Sequence, residues 1–445
     1  MRTKTITTLI TVALLLFSCG GGNRQQTTSE NKTTTVETVE IVPTDPAIID
    51  IAGNLENRKE FRLSDFGSSV QYIRLQPPEG MEFGGVSSVF SNDEFLFVNA
   101  PGGLFLYSAD GKYLRTLVLN EWEEMPNAPG GGVGLRQVDG ILNNVDFLSG
   151  ILFYRTFQRT SRGITGVQLN IIDTENLSEN PHLQPSFQQE LDPDRDSRGT
   201  RFLIDNYSFL AVTNNAVGVP TITAKSIKNG DTLFAINNYY QPTITGGIMT
   251  MSTSTFYRFN GNLMMQKAHN DTVFALIPPN RIAPAFIMQW GEFKPDMNRL
   301  ANGGTEEGKF VLQNWVETQH HIFIEYTEGR AFPSRWAEGN VRHHWAIFDK
   351  ETKTLTHHLT SPIPAKRDVP AMMSRMPIPL MFENDIDPVG MPFFPRGVNH
   401  RGEMYMVFSK EQVQQQIATG KFNNSRLQAL YNRMPDGSFY LMIVR

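Results

Sequence analysis

One cysteine in 445 residues excludes an intramolecular disulfide, so a packed core has to hold this chain together without covalent staples. Charged residues make up only 19% of the sequence and the formal net charge is -5. No basic stripe is present, which argues against a nucleic-acid partner. Sustained helical periodicity is scarce, and the apolar run from Leu9 to Phe17 is too short to span a bilayer. There is no HExxH and no G-x-S-x-G, and the Gly130 to Gly134 run lacks the Lys-Ser/Thr of a phosphate loop. No stretch carries a catalytic signature, and no cofactor is implied.

What is present suits short strands joined by turns: 36 glycines, 26 prolines and 11% aromatic residues. The stretch from Phe95 to Leu117 is the clearest unit. Leu104 and Leu106 alternate with Phe105 and Tyr107 across a strand, Asp110-Gly111 between apolar runs is a strong hairpin signal, and Tyr113, Leu114, Leu117 and Val118 supply the return. With Val86 to Phe90 ahead of it, four strands fit into roughly 35 residues, the size of a propeller blade. Similar punctuation recurs at Gly150, at Asn229-Gly230, at Asn260-Gly261, at Lys350 to Thr352 and at Arg401-Gly402. The Pro126 to Gly134 segment reads as a loop between two units, and Ile48 to Ala52, Phe61 to Leu63 and Val70 to Leu75 as early strands. Helices are expected over Glu411 to Ala418 and Ser425 to Asn432, and a last strand over Phe439 to Val444. The expected fold is all-β: a β-propeller of six four-stranded antiparallel blades with short C-terminal helices, over residues 47–445. Its first and last strands share a blade so that no edge stays open.

Residues 1–18 have Arg2 and Lys4, an apolar run and a small residue, the pattern of an export signal. Leu16-Phe17-Ser18-Cys19 resembles a bacterial lipobox, and Cys19, without a disulfide partner, is the expected lipidation site. Residues 19–46 are rich in Gly, Gln, Thr, Asn and Glu, too polar to offset the entropy of ordering, and read as a flexible tether to the membrane.

Phe61-Arg62-Leu63-Ser64-Asp65, Val70 to Leu75, Asn270 to Phe274, Asn384-Asp385-Ile386-Asp387 and Pro392 to Pro395 together resemble the six-bladed β-propeller lipoproteins of Bacteroidetes, many of them of unknown function. The resemblance implies an outer-membrane lipoprotein. In such proteins an acidic cluster after the lipidated cysteine marks surface export; Gly20 to Gln25 holds none, so a periplasm-facing position is expected.

Six of the nine histidines come in pairs: His320-His321, His343-His344 and His357-His358. Neighbours on a strand face opposite ways, so each pair puts one imidazole on each face, and a turn at Lys350 to Thr352 brings His344 near His357 or His358. His344, His357 and His358 are thus candidate metal ligands, with Glu325 or Asp349 available as a carboxylate, beside the plainer reading of polar strand residues. Asp192, Asp194 and Asp196 open like a calcium loop but depart from it at Ser197 and Leu203. Glu383, Asp385 and Asp387 form a carboxylate cluster suited to acid and base work, or to bracing a turn. Two functions follow. The first is a membrane-tethered, extracytoplasmic binding or scaffold protein with a protein or glycan ligand, serving glycan or nutrient handling. The alternative is a propeller enzyme, a glycan lyase or hydrolase, with its active site at the central funnel.

Overall fold

The computed structural model describes residues 37–81, 83–128, 132–161, 163–175, 185–191, 199–214, 220–236, 255–266, 271–296, 308–328, 343–358 and 381–445. The chain first lays four short strands, β1 (Glu37–Thr38), β2 (Glu40–Ile41), β3 (Ala47–Asp50) and β4 (Arg58–Lys59), and then a longer one, β5 (Val70–Leu75). Blade one follows as β6 (Ser88–Ser91), β7 (Phe95–Ala100), β8 (Gly103–Ser108) and β9 (Tyr113–Leu119). Blade two is β10 (Glu121–Ala128), β11 (Gly132–Leu148), β12 (Ile151–Thr160), β13 (Gly163–Asp173) and β14 (Phe187–Leu191). Blade three is β15 (Thr200–Leu203), β16 (Ser208–Asn214), β17 (Pro220–Ser226) and β18 (Thr232–Ile236), and blade four is β19 (Thr255–Phe259), β20 (Asn262–Gln266), β21 (Thr272–Ile277) and β22 (Arg281–Gln289). Blade five is β23 (Phe310–Glu317), β24 (His321–Glu328), β25 (His343–Asp349) and β26 (Thr354–His358). Blade six is β27 (Gly397–Val398), β28 (Met404–Ser409) and β29 (Phe439–Val444), completed by β5 from the other end of the chain. The six sheets form a six-bladed propeller ring.

The turns forecast from sequence carry the backbone they need. Gly111 has φ +89°, Gly230 +72° and Gly402 +77°, while Asn260 at +48° and Gly261 at +78° make the tight Asn-Gly hairpin. Helices α1 (Lys410–Thr419) and α2 (Asn424–Arg433) fall where expected, between β28 and β29. Ser409 caps α1 by accepting from Gln412 N, with Gln412 returning to the Ser409 N–H, and Gly420 ends it at φ +66°.

Blade interfaces are apolar because each strand shows one row of side chains to either neighbour. Ile73, Leu75, Leu441 and Ile443 of blade six pack with Val89, Leu96, Val98, Phe105 and Tyr107 of blade one. Phe97 and Leu106 of blade one meet Leu152 and Tyr154 of blade two. Val70 and Tyr72 face the other way, into a cluster with Phe382, Phe393, Phe408 and Trp345 that joins blades five and six.

Three sequence expectations are corrected. The Pro126 to Gly134 segment, of which 129–131 lie outside the described residues, is not a plain connection: β10 and the first part of β11 form a hairpin, pairing Trp122 with Gln137, Glu124 with Leu135 and Ala128 with Gly132, while the last part of β11 pairs with β12 from Leu148↔Ile151 onward. Backbone pairing tolerates the glycines that made it read as a loop. Phe61 to Leu63 is not a strand, because a short 3₁₀ turn at Leu63–Asp65 forms where Asp65 accepts from the Arg62 N–H at 2.8 Å. Residues 37–46, placed in the tether by their polarity, already join the ring: Glu37↔Phe234 and Glu40↔Arg281 pair parallel to the outer strands of blades three and four. Main-chain pairing of exposed residues leaves no apolar signature in sequence.

β1 to β4 thus form a belt along the outer edges of three successive blades, with β3 on β22 and β4 on β26. β5 then closes the ring by pairing antiparallel with β29 along its full length, from Phe439↔Leu75 to Val444↔Val70. Closure between the chain's two ends is as the sequence predicts. Deleting Phe439 to Arg445 is expected to abolish the single cooperative melting transition, and Leu75→Ala, fully buried at the seam, to cost about 2–5 kcal/mol in chemical denaturation. An unchanged transition in the truncated chain would show that the ring is not held shut by this strand.

Candidate functional site

Inner strands of neighbouring blades touch, β11 with β15, β19 with β23 and β23 with β27, while the fourth strands of blades three, four and five carry the belt, so the strand directions assign every connection to one of two faces. Connections 237–254, 290–309, 329–342, 359–396 and 410–438 all leave one face and each is longer than any on the other, where 174–186 is the longest and most are tight turns. The β10–β11 hairpin belongs to the long-connection face too. It carries Trp122 half exposed, between Glu121, Glu123 and Glu124, all exposed, and Glu123 is paired with Arg136.

Along the inner strands and between blades four and five, polar side chains are committed to one another. Asp146 of β11 accepts from the Leu203 N–H of β15 and from Arg258 Nη2 of β19, both at 2.7 Å, and Arg258 also donates to the Leu203 carbonyl at 2.7 Å. One carboxylate therefore ties the inner strands of blades two, three and four. Tyr257 donates to Glu317 at 2.7 Å and accepts from Trp315 Nε1 at 2.8 Å, and Lys350 donates to Glu317 at 2.8 Å while lying 3.7 Å from the centre of the Phe259 ring. Burial, and then the Glu317 charge, push the Tyr257 phenol well above its ordinary range, so it stays a neutral donor.

The His357–His358 pair splits across its strand as its spacing predicts. His357 faces Tyr326, whose hydroxyl lies 3.1 Å from Nδ1, while His358 faces Phe61 and Phe382 on the other side and accepts the Phe61 N–H at Nδ1 over 3.1 Å. His344 stacks on Tyr326 with centroids 5.0 Å apart and sits 3.2 Å from Glu328. Among the described residues no group of three or more His, Cys, Asp or Glu is arranged to hold a metal ion. His343 is opposite Thr327, and the side chains of His344, His357 and His358 are occupied by ring stacking, Tyr326 and the belt. The carboxylates after Glu383 brace a turn: Asp385 accepts from Ser64 N and Oγ at 3.0 and 2.6 Å, Asp387 accepts from Tyr72, Asn384, Val389 and Gly390, and Glu383 lies 3.8 Å from Arg62. Cys19 and the aspartates at 192, 194 and 196 lie outside the described residues.

Sequence reasoning missed a cleft of about 120 Å³ where blade one meets blade six on the short-turn face. Ser91, Asp93, His400, Arg401, Tyr405 and Arg445 line it. Ser91 and Asp93 are neighbours in sequence but His400 is 309 positions from Ser91, so no spacing rule reveals the group.

Both buried imidazoles of β26 are pushed down to about 4, first by burial and then by the positive charge of His344 and Arg58 near His357 and of Lys421 near His358. An exposed histidine titrates near 6.5, so between about 4 and 6.5 the unfolded chain binds more protons than the folded one. Stability is accordingly full above pH 6.5 and is lost as pH falls toward 4, by up to about 1.4 kcal/mol per pH unit for each residue. His357→Gln with His358→Gln is expected to flatten the dependence of melting temperature on pH in that window. An identical slope in the wild type, the double variant and His358→Gln alone would contradict this origin.

In comparisons with known proteins, a Bacteroides fragilis protein named as exported has a crystal structure matching with a TM-score of 0.51 at 11% identity, over 89% of this chain and 99% of that one. The N-terminal domain of Nup159 matches at 0.35 and 9% identity over 71% of each chain, and virginiamycin B lyase from Staphylococcus aureus at 0.28 and 12% identity over 67% of this chain and 90% of that one. No curated protein matches the sequence. Among the described residues no helix is long and apolar enough to cross a membrane. Residues 33–189 and 200–419 match the family described as Domain of unknown function (DUF4933), and the chain belongs to that family.

Proposed function

We propose that this protein is an exported lipoprotein of the cell envelope, periplasm-facing and anchored at Cys19, that works as a binding or scaffold module. The observation that carries this reading is the asymmetry of the ring: the strand ends bounding its longest connections and the β10–β11 hairpin share one face, on a frame whose inner-strand charges Asp146, Arg258 and Glu317 are already paired. On that face the β10–β11 hairpin offers Trp122 and its neighbouring glutamates for contact. A propeller enzyme working at its funnel needs acids, bases and cations aimed at a substrate, whereas Asp146, Arg258, Glu317 and Lys350 here neutralise one another. The exported Bacteroides neighbour supports the address, and the lipobox supports the anchor.

The ligand class tested first is an envelope glycan, because Trp122 offers an exposed aromatic plate beside Glu124 at the rim of the elaborated face. Trp122→Ala with Glu124→Lys is expected to weaken binding of purified envelope polysaccharide at least tenfold in calorimetric titration. Tyr207→Ser, on the exposed turn of the opposite face, is expected to leave it unchanged. Equal effects of both variants, or no titratable binding by the wild type, would remove the glycan reading.

The anchor is tested separately. Cys19→Ser is expected to move the protein from the membrane to the soluble fraction and to abolish the lipid mass on the mature N-terminal peptide. Persistence of the variant in membranes, with no lipid mass in the wild type, would overturn it.

A further inference from the structure

The seam cleft holds a hydroxyl, an imidazole and a carboxylate in series. Ser91 ends β6, Asp93 lies in the turn to β7, and His400 and Arg401 lie in the turn between β27 and β28. Ser91 Oγ is 2.9 Å from His400 Nδ1, and His400 Nε2 is 3.1 Å from Asp93 Oδ1. Arg401 donates through Nε and Nη2 to the same Asp93 oxygen at 3.1 and 2.6 Å. These hydrogen bonds, Arg401 first and His400 next, hold the Asp93 carboxyl below the usual carboxylate range, so it remains an anion. A carboxylate only accepts, so in the neutral imidazole the proton sits on Nε2 and Nδ1 is the acceptor. In that form the Ser91 hydroxyl donates a hydrogen bond to His400 Nδ1.

The turns that present these groups are fixed by their own side chains. Asn92 Oδ1 accepts from the Glu94 and Phe95 N–H groups at 3.0 and 2.8 Å, and Asn399 Oδ1 accepts from those of Arg401 and Glu403 at 2.9 Å each. The cleft beside them has Ile73, Leu96 and Tyr405 as apolar wall. Arg445 is held at its edge by Glu403 through Nε at 2.6 Å and by Gln71 through Nη2 at 2.7 Å. A guanidinium has five N–H donors, so Arg401 and Arg445 each keep some for a substrate oxygen. A volume near 120 Å³ suits an acyl group of a few heavy atoms.

We propose that Ser91 is an activated nucleophile of an acyl-transfer site that accepts small carboxylic esters, with His400 as general base and Asp93 as the group that orients it. Ser91 Oγ bonds to the ester carbonyl carbon as its proton passes to His400 Nδ1; the C–O bond to the alcohol breaks, and that alcohol leaves with the same proton. Water then attacks the acyl-serine, giving a proton to His400, and the carboxylic acid departs as Ser91 recovers its hydrogen. No redox partner or metal enters the balance. The site lies on the face opposite the elaborated one, so this proposal stands independently of the glycan reading.

The test uses the full chain, an alkyl fluorophosphonate and p-nitrophenyl acetate. One adduct per chain is expected on the peptide bearing Ser91, with loss of fluoride, and none in Ser91→Ala. General-base catalysis contributes on the order of 10²–10⁴-fold, so His400→Gln is expected to slow both labelling and ester turnover by about a hundredfold. Asp93→Asn is expected to slow them as well, and His400→Asn replaces His400→Gln if that variant fails to melt cooperatively. Absence of an adduct, an adduct on another residue, labelling of Ser91→Ala, or wild-type rates in a folded His400 variant would each overturn the proposal.

Discussion

The pairing of β5 with β29 is the constraint on which the remaining structure depends. Each blade buries its faces only against its neighbours, so an open ring would expose two apolar blade faces together with a row of unpaired backbone groups. The register from Phe439↔Leu75 to Val444↔Val70 prevents this, and it continues past the strand ends, where the Ser68 N–H donates to the Arg445 carbonyl and the Arg445 N–H to that of Ser69. Side chains on the closing strand alternate between two cores: Ile73 and Leu75 face blade one, Val70 and Tyr72 face blade five. One strand therefore couples three blades, and a one-residue slip would turn both rows the wrong way.

Closure by an N-terminal strand explains the belt. The chain enters blade six only after running outside blades three, four and five, and its short parallel pairings occupy edges that would otherwise be open to other chains. Those pairings are few, so side chains add to them: Asn57 Nδ2 donates to the Leu355 carbonyl at 2.7 Å, and His358 accepts the Phe61 N–H. The histidine pair that invites a metal interpretation in sequence is thus partly a fastening for the belt. It stays uncharged because it is buried between the belt and the aromatic clusters of blades five and six.

Much of the fold was legible because it rests on local chemistry. Asp110-Gly111, Asn229-Gly230 and Asn260-Gly261 demand positive φ whatever surrounds them, and the Ser409–Gln412 capping box and Gly420 bound a helix from within. The belt and the β10–β11 hairpin were not legible, since backbone pairing of polar or glycine-rich segments leaves no hydrophobic period to read. Site residues divide the same way. The alternation of His357 and His358 between two faces followed from strand geometry. The Ser91–His400–Asp93 series did not, because a turn in the first blade and a turn in the last meet only when the ring closes.

The two faces of the ring therefore follow different logic. On one, the strand ends that bound the longest connections gather, and the exposed Trp122 and its flanking glutamates stand on a hairpin set by eight residues of β10. That arrangement favours area over precision. On the other, turns of a few residues leave little freedom, and Asn92 and Asn399 lock two of them by bonding their own backbones, so that Ser91, Asp93, His400 and Arg401 meet with hydrogen-bond geometry. Precision of that kind is costly to maintain on a loop and easy to maintain at a blade seam, where strand closure fixes both sides. The same pairing that keeps the ring from opening is what brings a hydroxyl, an imidazole and a carboxylate into line.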